Sequence, residues 1–320
     1  MRRLSAALVA VTVTAALGSL LGASAQEAVF KAGVAVVEVA TTVTDGDGRF
    51  VRGLTKDDFI VYDDDQPQDI VVFSSERRPV SLGVLLDVSV SMSDEQLAIA
   101  RSAIDQFVEL LGDGNQLFLM EFASRGRMLQ DWTQDRRLFS AALARANQIP
   151  LTAVDQSQSN AVGRTINSGT AVFDAVASGL DLAAKGTHQK KAVLIISDGV
   201  DTSSKRTVRE VQSAIRSSEV LVYALGVEGG LTTTRIGATY NLVDARSLRR
   251  LTDDTGGRTE VVDGVKNLAK ATARLAEEFN QQYVIGYATP PDRDGRWHDI
   301  KVEVRKRGTN VRARAGYVAR

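Results

Sequence analysis

The stretch VSLGVLLDVSVSM, residues 80–92, constrains this chain more than any other. Gly83 precedes a short apolar run, Val84-Leu85-Leu86, which suits a parallel strand buried on both faces better than a helix. The strand stops at a carboxylate. Asp87, Ser89 and Ser91 follow at alternate positions, where the chain leaves the C-terminal edge of a sheet and where open α/β sheets bind ligands. One carboxylate and two neutral hydroxyls in a single turn suit a small, hard divalent cation. Asp and Ser after a strand are also ordinary turn and helix-capping residues, so the motif alone admits either reading.

Two later stretches bear on that choice. At 168–176, SGTAVFDAV, a polar loop runs into an apolar-periodic helix with Thr170 at its mouth; at 192–199, AVLIISDG, a second buried strand ends on Asp198 and Gly199. Taken together, these residues resemble the von Willebrand factor A domain and its metal-ion-dependent adhesion site, over roughly residues 79–280. The resemblance implies that Asp87, Ser89, Ser91, Thr170 and Asp198, drawn from three loops, hold one Mg²⁺ or Mn²⁺. It further implies an adhesion-type, non-enzymatic module whose ion takes the Asp or Glu carboxylate of a protein partner. Val90 departs from the pattern, since many members have Gly there; a β-branched residue restricts the turn but removes no ligand. Asp94 and Glu95 resemble the paired acids that bind an adjacent ion in integrin β subunits, but acids in a first helical turn are equally what the helix dipole favours, and that reading is preferred.

With 320 residues the chain has room for about two domains and a sizeable core. It has no Cys, which excludes disulfides, thiolate metal sites and a Cys-linked lipid. Arg2-Arg3, an apolar stretch at 4–21 and Ala23-Ser24-Ala25 form the three parts of a signal peptide, so residues 1–25 are expected to be removed and the protein to be periplasmic or secreted, with no membrane span after cleavage. Losing Arg2 and Arg3 from 39 basic residues leaves 37 against 39 acidic ones, a balance that gives no footing for nucleic acid.

Beyond the signal, residues 27–78 read as an N-terminal β segment of short strands separated by turns at 45–48, 53–55 and 63–65. Val43, Asp45, Gly48, Val51, Gly53, Leu54, Thr55, Asp58 and Phe59 resemble a pattern of the bacterial VWFA-related proteins described from acidobacteria. Residues 79–280 alternate apolar strands with amphipathic helices, including one at 95–111 and one at 170–184, which predicts a doubly wound, mostly parallel Rossmann-like α/β sheet. A polar loop at 152–169 delivers Thr170. Residues 281–320 return to strands, at 283–287, 299–304 and 311–317, and are expected to pack with 27–78 as one small β domain.

Other chemistry finds little purchase. His188 lies in a basic turn and His298 in a hairpin, both read as solvated loop residues, and neither a nucleophile elbow nor a phosphate loop is present. A Mg²⁺-dependent phosphatase-like hydrolase on the same sheet edge is the enzymatic alternative, although it would want a second Asp where Ser89 stands. A structural envelope protein whose ion only stabilises the fold is the third reading. Arg and Lys along 296–320 read as charges that protect an edge hairpin.

Overall fold

The computed structural model describes residues 35–148, 169–228, 231–234, 237–240, 243–262, 264–289 and 294–319. The expected signal peptide and all but the last residue of the 152–169 loop lie outside them.

The N-terminal strands are β1 (Ala35–Asp45), β2 (Phe59–Asp63), β3 (Gln66–Gln68) and β4 (Ile70–Ser74). Next come β5 (Val80–Asp87), α1 (Asp94–Leu111), β6 (Gln116–Phe122), β7 (Gly126–Thr133), α2 (Arg136–Ala144), α3 (Val172–Ala183), β8 (Lys190–Ser197), α4 (Val208–Arg216) and β9 (Leu221–Val227). After these the chain forms a hairpin, β10 (Leu231–Thr234) and β11 (Gly237–Tyr240), then α5 (Ala245–Thr252), β12 (Thr259–Val262) and α6 (Gly264–Gln281). The last strands are β13 (Tyr283–Thr289), β14 (Trp297–Val304), β15 (Thr309–Arg312) and β16 (Gly316–Val318).

A six-stranded sheet of order β12-β9-β8-β5-β6-β7 is parallel except at β7, so the expected doubly wound α/β architecture is present. Its two faces follow from the period-2 alternation of side chains. Leu82, Val84 and Leu86 of β5 join the core under α1, α2 and α6, whereas Leu85 joins the opposite core under α3, α4 and α5. Every residue of β5 is buried, as a central strand covered by helices on both faces requires.

Two four-stranded antiparallel sheets, β15-β1-β13-β4 and β16-β14-β2-β3, complete the fold. Each takes two strands from either end of the chain. Val39, Phe59, Val61, Tyr283, Ile285, Tyr287, Ile300 and their neighbours form a core shared between them. The stretch expected as one strand at 311–317 is two. β15 pairs with β1 and β16 with β14, because the chain crosses from one sheet to the other between them, where Ala315 donates its N–H to the Asp254 carbonyl instead of to a neighbouring strand.

Gln282 joins α6 to β13, and its side chain donates to the Tyr223 hydroxyl at 2.9 Å. Glu278 of α6, 1% exposed, accepts from that same hydroxyl and pairs with Arg312 of β15 and Arg258. Much of the basic tail is thus engaged within the protein: Arg296 pairs with Asp294, Lys301 with Glu303 and Arg312 with Glu278.

Candidate metal centre

Asp87 is the last residue of β5 and is fully buried. The chain turns at once: Ser89 donates its N–H to Asp87 Oδ1 at 2.9 Å, Val88 donates to the Phe122 carbonyl at the end of β6, and Met92 donates to the Ser89 carbonyl. This turn places the Ser89 and Ser91 hydroxyl oxygens 2.9 Å apart. Ser93 then caps α1, exchanging side-chain and backbone hydrogen bonds with Gln96, and Asp94 and Glu95 occupy the first turn where the dipole favours them. Val90 fits the turn without strain. Its side chain is 75% exposed, and its φ is not positive, the non-glycine residues with positive φ being Asp64, Asp65 and Asn147 among those described.

Asp198 follows β8, the parallel neighbour of β5, and is 3% exposed. Its Oδ1 accepts from the Val200 N–H at 3.0 Å, and its carbonyl accepts from Asp244. Ser197, the last residue of β8, has a hydroxyl that donates to Asp87 Oδ2 at 2.6 Å and accepts from the Gly199 N–H at 2.9 Å. Asp87 therefore has both oxygens held. Burial pushes its carboxyl up to about 6, against the opposing pull of the Ser197 and Ser89 hydrogen bonds, and the charge of Asp198 adds to the rise. Among the described residues no Lys, Arg or His forms an ion pair with either acid.

Thr170, 4% exposed, arrives on a third loop. The sequence places the helix start at Thr170, whereas α3 begins at Val172, since the Thr170 carbonyl is taken by the N–H groups of Thr202 and Ser203 and its own N–H donates to Thr202 Oγ1 at 2.8 Å. Ala171 cannot cap α3. The orphan N–H groups of its first turn are met from the loop after β8: Phe173 donates to Asp201 Oδ2 and Asp174 to Ser204 Oγ, both at 3.1 Å. Ala171 in turn donates to the Ala123 carbonyl beyond β6. The loops bearing Asp87, Thr170 and Asp198 are thereby knitted into one rim.

Residues 82–279, more than half the chain, match the model of the von Willebrand factor type A domain. The chain belongs to the von Willebrand factor type A domain family. A search of curated proteins found no match. Among solved structures this von Willebrand A protein is similar to the conserved hypothetical protein BatB from Bacteroides thetaiotaomicron, at 19% identity over 62% of this chain and 98% of that one, TM-score 0.48. It is similar also to a von Willebrand factor type A protein from Catenulispora acidiphila, at 14% identity over 90% and 75% of the two chains, TM-score 0.48. A third is proximal thread matrix protein 1 from the mussel byssus with a zinc-occupied MIDAS motif, at 15% identity over 68% and 50%, TM-score 0.49. The family assignment rests on the match at residues 82–279.

Sequence reasoning missed Ser197, Asp201, Thr202 and Ser204, which orient Asp87, cap α3 or pin Thr170. Their signal was the polar run that follows the buried β8 strand. It also overstated the solvation of both imidazoles, although His188 does lie in a bend. His188 has a buried Nε2, and the His298 side chain is only 19% exposed, in β14 rather than in a loop. Among the described residues no helix is long and apolar enough to cross a membrane.

Proposed function

We propose that this chain is an extracytoplasmic, non-enzymatic binding module in which Asp87, Ser89, Ser91, Thr170 and Asp198 hold one Mg²⁺ or Mn²⁺ and present it to an acidic side chain of a protein partner. The observation that carries this reading is the buried Asp87 carboxylate, facing the charge of Asp198 with no cationic side chain among the described residues paired to either. Two ionised carboxylates match one dication in charge. The donor set fits as well: all oxygen, no thiolate, and two hydroxyl oxygens 2.9 Å apart, close to the ~3 Å between neighbouring ligands of an octahedron with metal–oxygen distances of ~2.1 Å.

When bound, the ion supplies a Lewis-acidic coordination position. Five side chains leave at least one of six positions open, and a carboxylate from a partner would complete it. Ser197 and the Ser89 N–H hold Asp87 in orientation, the Thr202 and Ser203 contacts keep Thr170 from following the helix, and Asp201 and Ser204 cap the helix behind it. Outward passage rests on Arg2-Arg3, the apolar 4–21 stretch and Ala23-Ser24-Ala25.

Calorimetry with Mg²⁺ and with Mn²⁺ should show binding by the wild type and none by Asp87→Ala. Capture of a protein partner should be lost with EDTA and with Thr170→Ala while the circular dichroism spectrum stays native. Unaltered metal affinity in Asp87→Ala would overturn the ligand assignment, and capture that persists without metal would favour a stabilising ion. Mg²⁺-dependent turnover in a phosphatase and esterase screen, lost in Asp87→Ala, would favour the hydrolase.

A further inference from the structure

The β layers carry a second cluster of charged side chains, distinct from the rim formed by the loops after β5 and β8. β2 ends at Asp63, and the tight turn into β3 holds Asp64 and Asp65 at φ 46° and 62°, the two left-handed central positions of a type I′ hairpin. β14 runs antiparallel to β2 with Ile300 opposite Asp63, which sets His298 on the same face, one step past the end of β2. Its Nδ1 is 3.0 Å from Asp64 Oδ2 and 3.5 Å from Asp63 Oδ1, and its Nε2 is 3.3 Å from Asp294 Oδ1. The ring lies flat against Tyr317, centroids 5.2 Å apart.

We propose that Asp63, Asp64 and His298 form a binding site for a transition-metal dication of the zinc class. Four observations converge on it. Each carboxylate has one oxygen held by a protein donor and the other turned to the imidazole: Asp63 Oδ2 accepts from the Tyr317 hydroxyl at 3.0 Å, and Asp64 Oδ1 accepts from the Asp299 N–H at 2.9 Å. That is how ligands are oriented from behind. Second, Asp294 sits where a metal-bound histidine normally sends its other ring N–H, and Arg296 balances the Asp294 charge. In the tautomer that gives Nε2–H to Asp294, the Nδ1 lone pair faces two carboxylate oxygens, an arrangement that repels unless a dication or a proton stands between them.

Third, among the described residues no Lys or Arg pairs with Asp63 or Asp64. A dication beside a neutral imidazole matches the two carboxylates charge for charge; the charge of Arg296 serves Asp294 first and reaches Asp64 more weakly. Spacings of 3.0 and 3.5 Å also bracket the roughly 3.3 Å between neighbouring ligands when zinc bonds of ~2.0–2.1 Å are arranged tetrahedrally. Fourth, the fully buried Tyr287 hydroxyl faces Asp63, whose charge and proximity add to burial in pushing the phenol up, yet it stands outside regular hydrogen-bond geometry with any described partner. Three protein ligands leave a fourth position on the ion, and a water there gives that hydroxyl a partner.

Zn²⁺ alone is the probe, titrated by calorimetry into the full-length Asp87→Ala protein so that the rim after β5 contributes nothing. One equivalent should still bind, and His298→Gln or Asp64→Asn added to that background should weaken it by about a hundredfold, with Tyr317→Phe costing roughly tenfold through Asp63. Asp64 is half exposed, so its substitution carries the test should His298→Gln fail to fold by circular dichroism. Absence of Zn²⁺ binding in the Asp87→Ala protein overturns the proposal, leaving an imidazolium clasp only. Binding that survives both His298→Gln and Asp64→Asn overturns it too, since the ion then sits elsewhere.

Discussion

Replacing Asp87 by Asn should make the metal-free protein more stable and the metal-loaded protein less so. Asn keeps the shape of the side chain and removes its charge. The carboxyl is raised from 3.8 to about 6 in the folded state, roughly two units, and at 1.36 kcal/mol per unit the ionised group therefore costs ~3 kcal/mol in the absence of metal. The sign is that of a raised acid: between about 4 and 6 the folded state binds more protons than the unfolded chain, so stability falls as pH rises through that window and stays low above it. Asn recovers most of this. Its Oδ1 can still accept from the Ser89 N–H, but the Ser197 hydroxyl now meets an NH₂ group where it had donated to a carboxylate, at a loss of ~1 kcal/mol.

A net gain of ~2 kcal/mol at pH 7.5 corresponds to a Tm higher than wild type by about 4–8 °C in EDTA. Magnesium reverses the order. At a hundred times Kd a ligand specific for the native state adds ~2.7 kcal/mol to the wild type and nothing to a variant that cannot bind it. Melts followed by circular dichroism, in EDTA and then in excess Mg²⁺, should therefore cross. A variant that melts below wild type in EDTA, or one that gains as much from Mg²⁺, would refute the claim that the charge of Asp87 is held for an ion.

Glu278→Ala should lose about 3 kcal/mol in urea titrations, since it takes the carboxylate partner from the Arg312 guanidinium and the acceptor from the Tyr223 hydroxyl in a buried site, while Arg258 keeps Glu260; a loss under 1 kcal/mol would show that the link between α6 and β15 is dispensable. Gly83→Ala would set a Cβ 2.1 Å from Phe118 Cζ, and overpacking of this kind costs about 1–3 kcal/mol, so an unchanged Tm would mean that Phe118 moves freely. Lys190 donates to the Phe279 carbonyl at 2.7 Å and is brought down to about 7 by desolvation. From there up to 10.5 the unfolded chain holds the extra proton, so stability should climb with pH across that window, and Lys190→Met should flatten the climb between pH 6.5 and 9. An identical slope in that variant would assign it to other groups.

The α/β sheet was legible because its signal is local. Val84-Leu85-Leu86 and the apolar run 192–196 are buried on both faces, and only β-structure covered by helices accommodates strands without alternation. Asp87 and Asp198 could be placed at strand ends for the same reason. The contacts that join the loops were not legible, because they depend on which loops meet. Nothing in Asp201-Thr202-Ser203-Ser204 as a string announces that its side chains cap a helix beginning near residue 172; that follows only once β8 lies beside β5 and α3 descends between them.

The same limit explains His298. On the sequence it stands alone, with Asp294 and Asp299 as its nearest acids, and a lone imidazole near the end of a chain is sensibly read as solvated. Its decisive neighbours, Asp63 and Asp64, are over two hundred residues away and arrive through the pairing of β14 with β2. A strand pair of that sequence separation is written in no periodicity. It is set by register, here Ile300 opposite Asp63, and a slip of one residue would turn His298 to the opposite face and dissolve the cluster. Whatever cation the cluster holds therefore ties the two ends of the chain together, so a metal bound there should protect the β2–β3 turn and the β14 strand from hydrogen exchange as a single unit.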